Sequence, residues 1–258
     1  MKALKEIWDY RNMVFNLVKR DLRGRYKGSI LGFLWTFLNP LLQLVVYTLV
    51  FSVIMRAGID KYYIFLFVAL VPWIFFSTSL QGGASSILNQ KSLVSKIYFP
   101  REVLPIAHVL TCFVNMLLTF IVIFIALLFA RIPLNPLAIL CLPPVMLVEL
   151  LLCMGMALLA SAITVYLRDF EYILGILVMA WQFLTPVMYS MEMVPEQLHP
   201  IFLVNPMTPV IQAYRDILYY ARLPELFTLT HAFLLGILVL IAGGWIFSRL
   251  KKHFAEEL

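Results

Sequence analysis

Six stretches of this chain are long and apolar enough to cross a lipid bilayer, at about residues 30 to 55, 62 to 80, 104 to 130, 137 to 166, 172 to 190 and 229 to 249. A helix needs about 20 apolar residues to traverse a hydrocarbon core about 30 Å thick. Backbone N–H and C=O groups meet no water at that depth, so each segment must close its own hydrogen bonds as a helix. The expected fold is all-α, a polytopic membrane protein of six transmembrane helices. Composition decides against a soluble alternative: of 258 residues 62% are hydrophobic and 13% charged, against roughly 45–50% apolar in a soluble domain.

Charge sets the orientation. Residues 1 to 29, 81 to 103, 167 to 171 and 249 to 258 hold 15 Lys and Arg, whereas the opposite connections hold five, Arg56, Lys61, Arg131, Arg215 and Arg222. Such residues accumulate on the cytoplasmic side of a membrane, which puts both termini there. The net charge of +6 is then a topological signal, and no nucleic acid partner is expected. Pro72, Pro105, Pro143, Pro144 and Pro186 fall in or beside spans and predict kinks that neighbouring helices can satisfy. Cys112, Cys141 and Cys153 lie in apolar runs without metal spacing and read as inert core thiols. The charged N-terminus lacks the short apolar core of a cleavable signal peptide.

The connecting segments carry the rest of the organisation. Over residues 1–25, Leu4, Ile7, Trp8, Val14, Phe15, Val18 and Leu22 recur at helical spacing with polar residues opposite, which predicts an amphipathic helix on the inner membrane surface. It runs into "RDLRGRYKGSILGFLWTFLNPLLQ", where Arg20, Arg23, Arg25 and Lys27 stand directly before oil, a junction at which the chain enters the membrane. Gly24, Gly28 and Gly32 fit either a small-xxx-small contact or bend-forming glycines. In "GGASSILNQKSLVSKIYFPREVLP", Leu93 with Ile97 and Val94 with Tyr98 pair at i,i+4 while Lys91 and Lys96 face solvent. That pattern suits a short cytoplasmic helix offered to another protein, or an interfacial connector. On the outer side, residues 191–228 carry five prolines yet stay apolar. Thr208 as N-cap with Pro209 after it, then the stripe Val210, Ala213, Tyr214, Ile217 and Leu218, predicts short helices re-entering the outer leaflet. One membrane domain, 30–249, and a cytoplasmic tail, 250–258, complete the layout.

Catalytic machinery is missing. The chain has no Gly-Lys pair, hence no phosphate-binding GxxxxGK[ST] loop, and neither HExxH nor GxSxG. His108, His199, His231 and His253 are too scattered to suggest a metal site. Glu149 is the one carboxylate midway along a span, where an unpaired charge costs a few kcal/mol. It is either a proton-relay or substrate contact, or a structural hydrogen bond to a neighbouring helix or dimer partner. The second is favoured, because a proton-driven transporter would carry more than one such group. Aromatic side chains inside the first and fifth spans, among them Phe33, Phe37, Tyr47, Trp181 and Tyr189, offer flat faces to sliding carbohydrate or belong to the interfacial belt.

With its segments in this order, the chain resembles the permease subunit of bacterial type 2 ABC exporters of polysaccharides, namely O-antigen, capsule and teichoic acid. The likeness spans essentially the whole chain. It is carried by the junction sequence above, "KIYFPREVLP" before the third span, "YLRDF" after the fourth, and "TPVMYS" followed by "NPMTPVIQAYRD" after the fifth. The resemblance implies a homodimer in the bacterial inner membrane paired with two copies of an ABC ATPase subunit, which binds ATP and Mg while this chain binds no cofactor. It implies an ATPase-coupling helix around Asn89, Lys91, Leu93, Val94, Lys96, Ile97 and Tyr98. It also implies a lateral entrance at Arg25, Tyr26 and Lys27 for an undecaprenyl-diphosphate-linked glycan, whose charge suits those cations. Spans one, two and five would line the passage, an outer cap would include Asn205, Pro206, Pro209, Tyr214 and Arg215, and Arg168 with Asp169 would form an inner-surface ion pair. The alternatives are an ABC permease for a drug or lipid, or a membrane-embedded glycosyl- or acyltransferase with Glu149 or His108 as base.

Overall fold

The computed structural model describes residues 2–24, 31–56 and 58–254, with side chains from residue 5 onward. The described chain is helical and contains no strand. Two amphipathic helices, α1 (Lys2–Asp9) and α2 (Arg11–Gly24), precede a first apolar segment built from a 3-10 turn, α3 (Trp35–Thr48) and a wider π turn, Leu49–Ile54. Then follow α4 (Tyr62–Ser85), α5 (Lys91–Lys96), α6 (Val103–Phe129), α7 (Pro136–Ile139) and α8 (Leu142–Tyr166). The chain finishes with α9 (Phe170–Phe183), α10 (His199–Val204), α11 (Met207–Leu218) and α12 (Leu226–Leu250).

Among the described residues, five segments are long and apolar enough to span: Gly32–Ile54, Tyr62–Ser85, Val103–Phe129, Pro136–Tyr166 and Leu226–His253. The sixth apolar run behaves differently. Its helix, α9, has 14 residues, about 21 Å at 1.5 Å per residue and short of a full core. The reason is local: Pro186 disfavours helix at Thr185 and cannot donate to an earlier carbonyl, so residues 184–190 turn instead of extending α9 to residue 190.

Helix α4 is apolar around most of its circumference and is correspondingly enclosed over most of it, with Tyr63, Thr78 and Gln81 left exposed. It packs on α3, α6, α8, α9 and α11, with Phe65, Phe67, Phe75 and Phe76 all buried. The closest helix crossing joins α8 to α12. There a Cβ built on Gly155 would lie 2.6 Å from the Leu240 backbone, and one on Gly243 would strike the Gly155 carbonyl. Small residues are what let two backbones approach this closely.

The N-terminal expectation is corrected in two respects. A turn at Tyr10 divides the predicted single helix in two. The apolar stripe also splits by destination: Val14 and Leu17 bury in a cluster with Ile87, Phe99 and Val103, whereas Trp8 and Phe15 stay exposed. The helix therefore rests one face on the protein and turns the other away. Gly24 has open space around it, so no close helix approach occurs there. Gly32 adopts φ 46°, the left-handed bend that glycine accepts without strain, and Gly28 lies outside the described residues.

Candidate functional site

The greatest concentration of specific polar contacts sits at one end of the molecule, where the broken segment 184–190 would otherwise leave its carbonyls unpaired. Asn205 is the first clamp. Its Nδ2 donates to the Leu184 carbonyl and to Thr185 Oγ1, both at 2.9 Å, while its Oδ1 accepts from Trp181 Nε1 at 2.9 Å and from the Met207 N–H at 3.0 Å. Asn205, not Thr208, thus caps α11. Thr208 is the second residue of the helix, and its buried hydroxyl has no hydrogen-bond partner among the described residues. Pro209 costs nothing in the first turn, whose N–H groups lack intrahelical acceptors.

Arg215 is the second clamp. Its guanidinium donates to the Val187 carbonyl at 2.6 Å and the Tyr189 carbonyl at 3.0 Å, and lies 3.7 Å from the centre of the Phe65 ring. Tyr62 adds a bond to the Met188 carbonyl at 2.7 Å. Burial pushes Arg215 down to about 9, against the raising influence of Tyr220 and other nearby tyrosines, so it is still a cation at neutral pH. Beside it Asp216 pairs with Arg222 at 2.7 Å. Burial raises the Asp216 carboxyl, opposed by its hydrogen bond from Arg222. The predicted apolar stripe of α11 is entirely buried.

Glu149 on α8 is fully buried, and its Oε2 accepts from the Tyr214 hydroxyl at 2.7 Å. Its partner therefore sits on the short helix α11 and not on one of the spanning-length helices. Glu149 Oε1 has no hydrogen-bond partner among the described residues. The Tyr214 ring also meets Phe120, centroids 5.7 Å apart, so α6, α8 and α11 converge there.

At the opposite end, α5 presents Lys91 and Lys96 outward, buries Val94 and half-buries Leu93, with Asn89 exposed in the 3-10 turn before it. The helix ends sooner than its periodicity suggested. Ile97 is extended (φ −131°, ψ 136°), so Tyr98 does not stack over Val94 and is 91% exposed. Phe99 takes the buried place instead. Arg168 and Asp169 are both exposed and form no ion pair with each other, which corrects that expectation.

Residues 13–219 match the ABC-2 type transporter family. The chain belongs to that family. It is 35% identical over 261 residues to an O-antigen export system permease protein RfbA of Myxococcus xanthus, covering all of both chains. Two proteins of the same name from Klebsiella pneumoniae are 29% identical over 242 residues and 30% identical over 243, each alignment covering 94% of this chain and 93% of the relative. Family membership and several long apolar helices make it a multi-pass inner-membrane permease subunit.

The remaining candidate residues of this ABC-2 transporter chain are dispersed. Arg25, Tyr26 and Lys27 lie outside the described residues. Phe33 and Phe37 pair edge to face at 5.3 Å on the first segment, and Tyr47 is half-buried further along it. Trp181 and Tyr189 are drawn into the clamp on segment 184–190: the Trp181 ring meets Phe76 at 5.2 Å, and the Tyr189 hydroxyl donates to the Phe183 carbonyl. Sequence reading missed a cavity of about 280 Å³ between α3, α4 and α6, lined by Thr36, Asn39, Asn115 and Thr119 among others. Two asparagines inside apolar runs were its only signal. Among the described residues, no three His, Cys, Asp or Glu side chains gather as metal ligands.

Proposed function

We propose that this chain is the membrane-spanning subunit of an ATP-driven exporter that moves a lipid-linked polysaccharide, of the O-antigen, capsule or teichoic acid kind, from the inner to the outer face of the inner membrane. The observation that carries the reading is end-to-end similarity to an O-antigen export system permease, with no offset at either end. Two copies of the chain pair with two copies of an ATPase subunit, which supplies ATP and Mg to the complex. Arg25, Tyr26 and Lys27 receive the diphosphate of the undecaprenyl-linked cargo. Phe33, Phe37 and Tyr47 offer ring faces along the passage.

In this reading α9 with the turning segment 184–190 is the sixth crossing, and α10 with α11 re-enters the outer leaflet as a cap. Support comes from the apolar burial of α11 and from the donors that Asn205, Arg215 and Tyr62 aim at the carbonyls of 184–190. Bent backbone at membrane depth is tolerated where protein covers it in this way. The excess of Lys and Arg on one set of connections puts both termini in the cytoplasm. Glu149 serves as a structural partner of Tyr214.

Proteoliposomes holding the chain and its ATPase partner are expected to export undecaprenyl-diphosphate-linked glycan on ATP addition, and the chain alone to hydrolyse none. Charge reversal at Arg25 and Lys27 is expected to weaken glycolipid-stimulated hydrolysis with assembly intact. Hydrolysis by the isolated chain, or unchanged stimulation in the variant, would refute the corresponding part.

A further inference from the structure

The end of α12 is not a loose tail. After Leu250 the chain makes a 3-10 turn, Lys251–His253, and buries Phe254 completely. The Phe254 ring stands edge-on to Phe247 at 5.5 Å and to Tyr166 at 6.0 Å, and the Tyr166 hydroxyl donates to the Leu250 carbonyl at 2.8 Å. From the other side, the segment that follows α5 reaches the same turn. Arg101 donates to the Lys251 carbonyl at 2.7 Å and lies 5.9 Å from the centre of the Phe254 ring, while the Lys251 ammonium pairs with Glu102. The side chains of that pair are 28% and 7% exposed, so water screens it far less than an ordinary surface ion pair.

Stiffness is the reason this matters. Helix α5 has six residues, too few to hold its shape alone, so any rigidity of the coupling segment comes from what it is fastened to. Its fastening leads to α12, and α12 is locked to α8 through Gly155 and Gly243. Helix α8 in turn carries Glu149, which holds Tyr214 of the outer helix α11. A continuous set of contacts thus runs from the cytoplasmic surface to the outer clamp without passing through α3.

We propose that Glu102, Lys251 and Phe254 brace the coupling segment to the α8–α12 pair, so that the three elements move as one body when an ATPase partner acts on the segment. The inference rests on the functional reading above and adds positioning residues to it. None of the three needs to touch cargo.

The test uses the full permease assembled with its ATPase partner in proteoliposomes. Glu102→Gln and Lys251→Met are each expected to lower export per ATP hydrolysed at least threefold in assembled complexes, whereas Lys251→Arg keeps at least half of it. Wild-type coupling in both disrupted variants, or equal loss in Lys251→Arg and Lys251→Met, overturns the brace. A second arm serves where those variants fail to assemble. Glu102→Cys with Lys251→Cys, in a Cys141→Ser background, is joined by a short bismaleimide, and ATP hydrolysis by the bridged complex is expected to match that of the unbridged one. Arrest on bridging means the two segments must part, and overturns the proposal. This arm requires no cargo, so absent glycan export by the wild type counts against the functional reading while the bridging result still judges the brace.

Discussion

Helix α4 and the first apolar segment, Gly32–Ile54, have nearly the same length and nearly the same mean hydropathy, yet 78% of the most apolar stretch of one is buried in protein against 6% of the other. The difference shows what hydropathy measures. It reports the cost of leaving water and is blind to what takes water's place, since lipid tails are as apolar as leucine. Neighbours decide the rest. Helix α4 interlocks its rings with those of its neighbours, as where Phe76 meets Trp181 at 5.2 Å and Phe75 meets Phe113 at 5.6 Å. The first segment instead turns Val45, Val46, Leu49 and Val53 outward and is parted from α4 and α6 over part of its length by the cavity of about 280 Å³.

Substitutions can break this contrast or sharpen it. The largest effect is expected for Phe76→Ala, at about 3–5 kcal/mol for emptying a filled site, against less than about 0.5 kcal/mol for Val53→Ala on the exposed face. Thermal unfolding of the purified protein in nanodiscs reads both. Equal shifts would break the contrast and reveal something covering the first segment. Next comes Arg215→Met, which strips donors from two carbonyls of the enclosed segment 184–190 at about 1–3 kcal/mol each. Arg215→Lys should recover only part, because an ammonium on a flexible stem lacks the rigid planar fork that sets two guanidinium N–H groups on the two carbonyls at once. Limited proteolysis within residues 184–190 should rise in the same order, and unchanged cleavage would mean that Arg215 does not hold the segment. The smallest measurable effect within the enclosed region is expected at Tyr214→Phe, about 1–2 kcal/mol for the hydrogen bond lost by buried Glu149. Glu149→Gln, which keeps an acceptor, should cost less; the reverse ranking would mean that the carboxyl serves something other than Tyr214.

Much of the architecture was legible because period and length are one-dimensional signals. Five of the six apolar runs form spanning-length helices where they were read, and the stripe of α11 is buried residue for residue. The errors have a common cause. Thr208 looked like a helix cap from its neighbours, but Asn205, three residues earlier, also reaches Trp181, Leu184 and Thr185, contacts that no local pattern can encode. The i,i+4 pairing of Val94 with Tyr98 failed because Phe99, a residue outside that pattern, had a deeper hole to fill. Arg215 was read as one of five outer cations, and its bonds to Val187 and Tyr189 carbonyls depend on a chain break more than twenty residues away.

What the sequence determined by itself is the solvent: a chain this apolar, in runs this long, must be helical and must live in lipid, because unpaired backbone groups cannot be left in hydrocarbon. Which helix sits at the centre, where α9 stops, and what Glu149, Arg215 and Lys251 hold were decided only by tertiary structure. Each depends on the distance between atoms far apart along the chain, and packing, not periodicity, sets that distance.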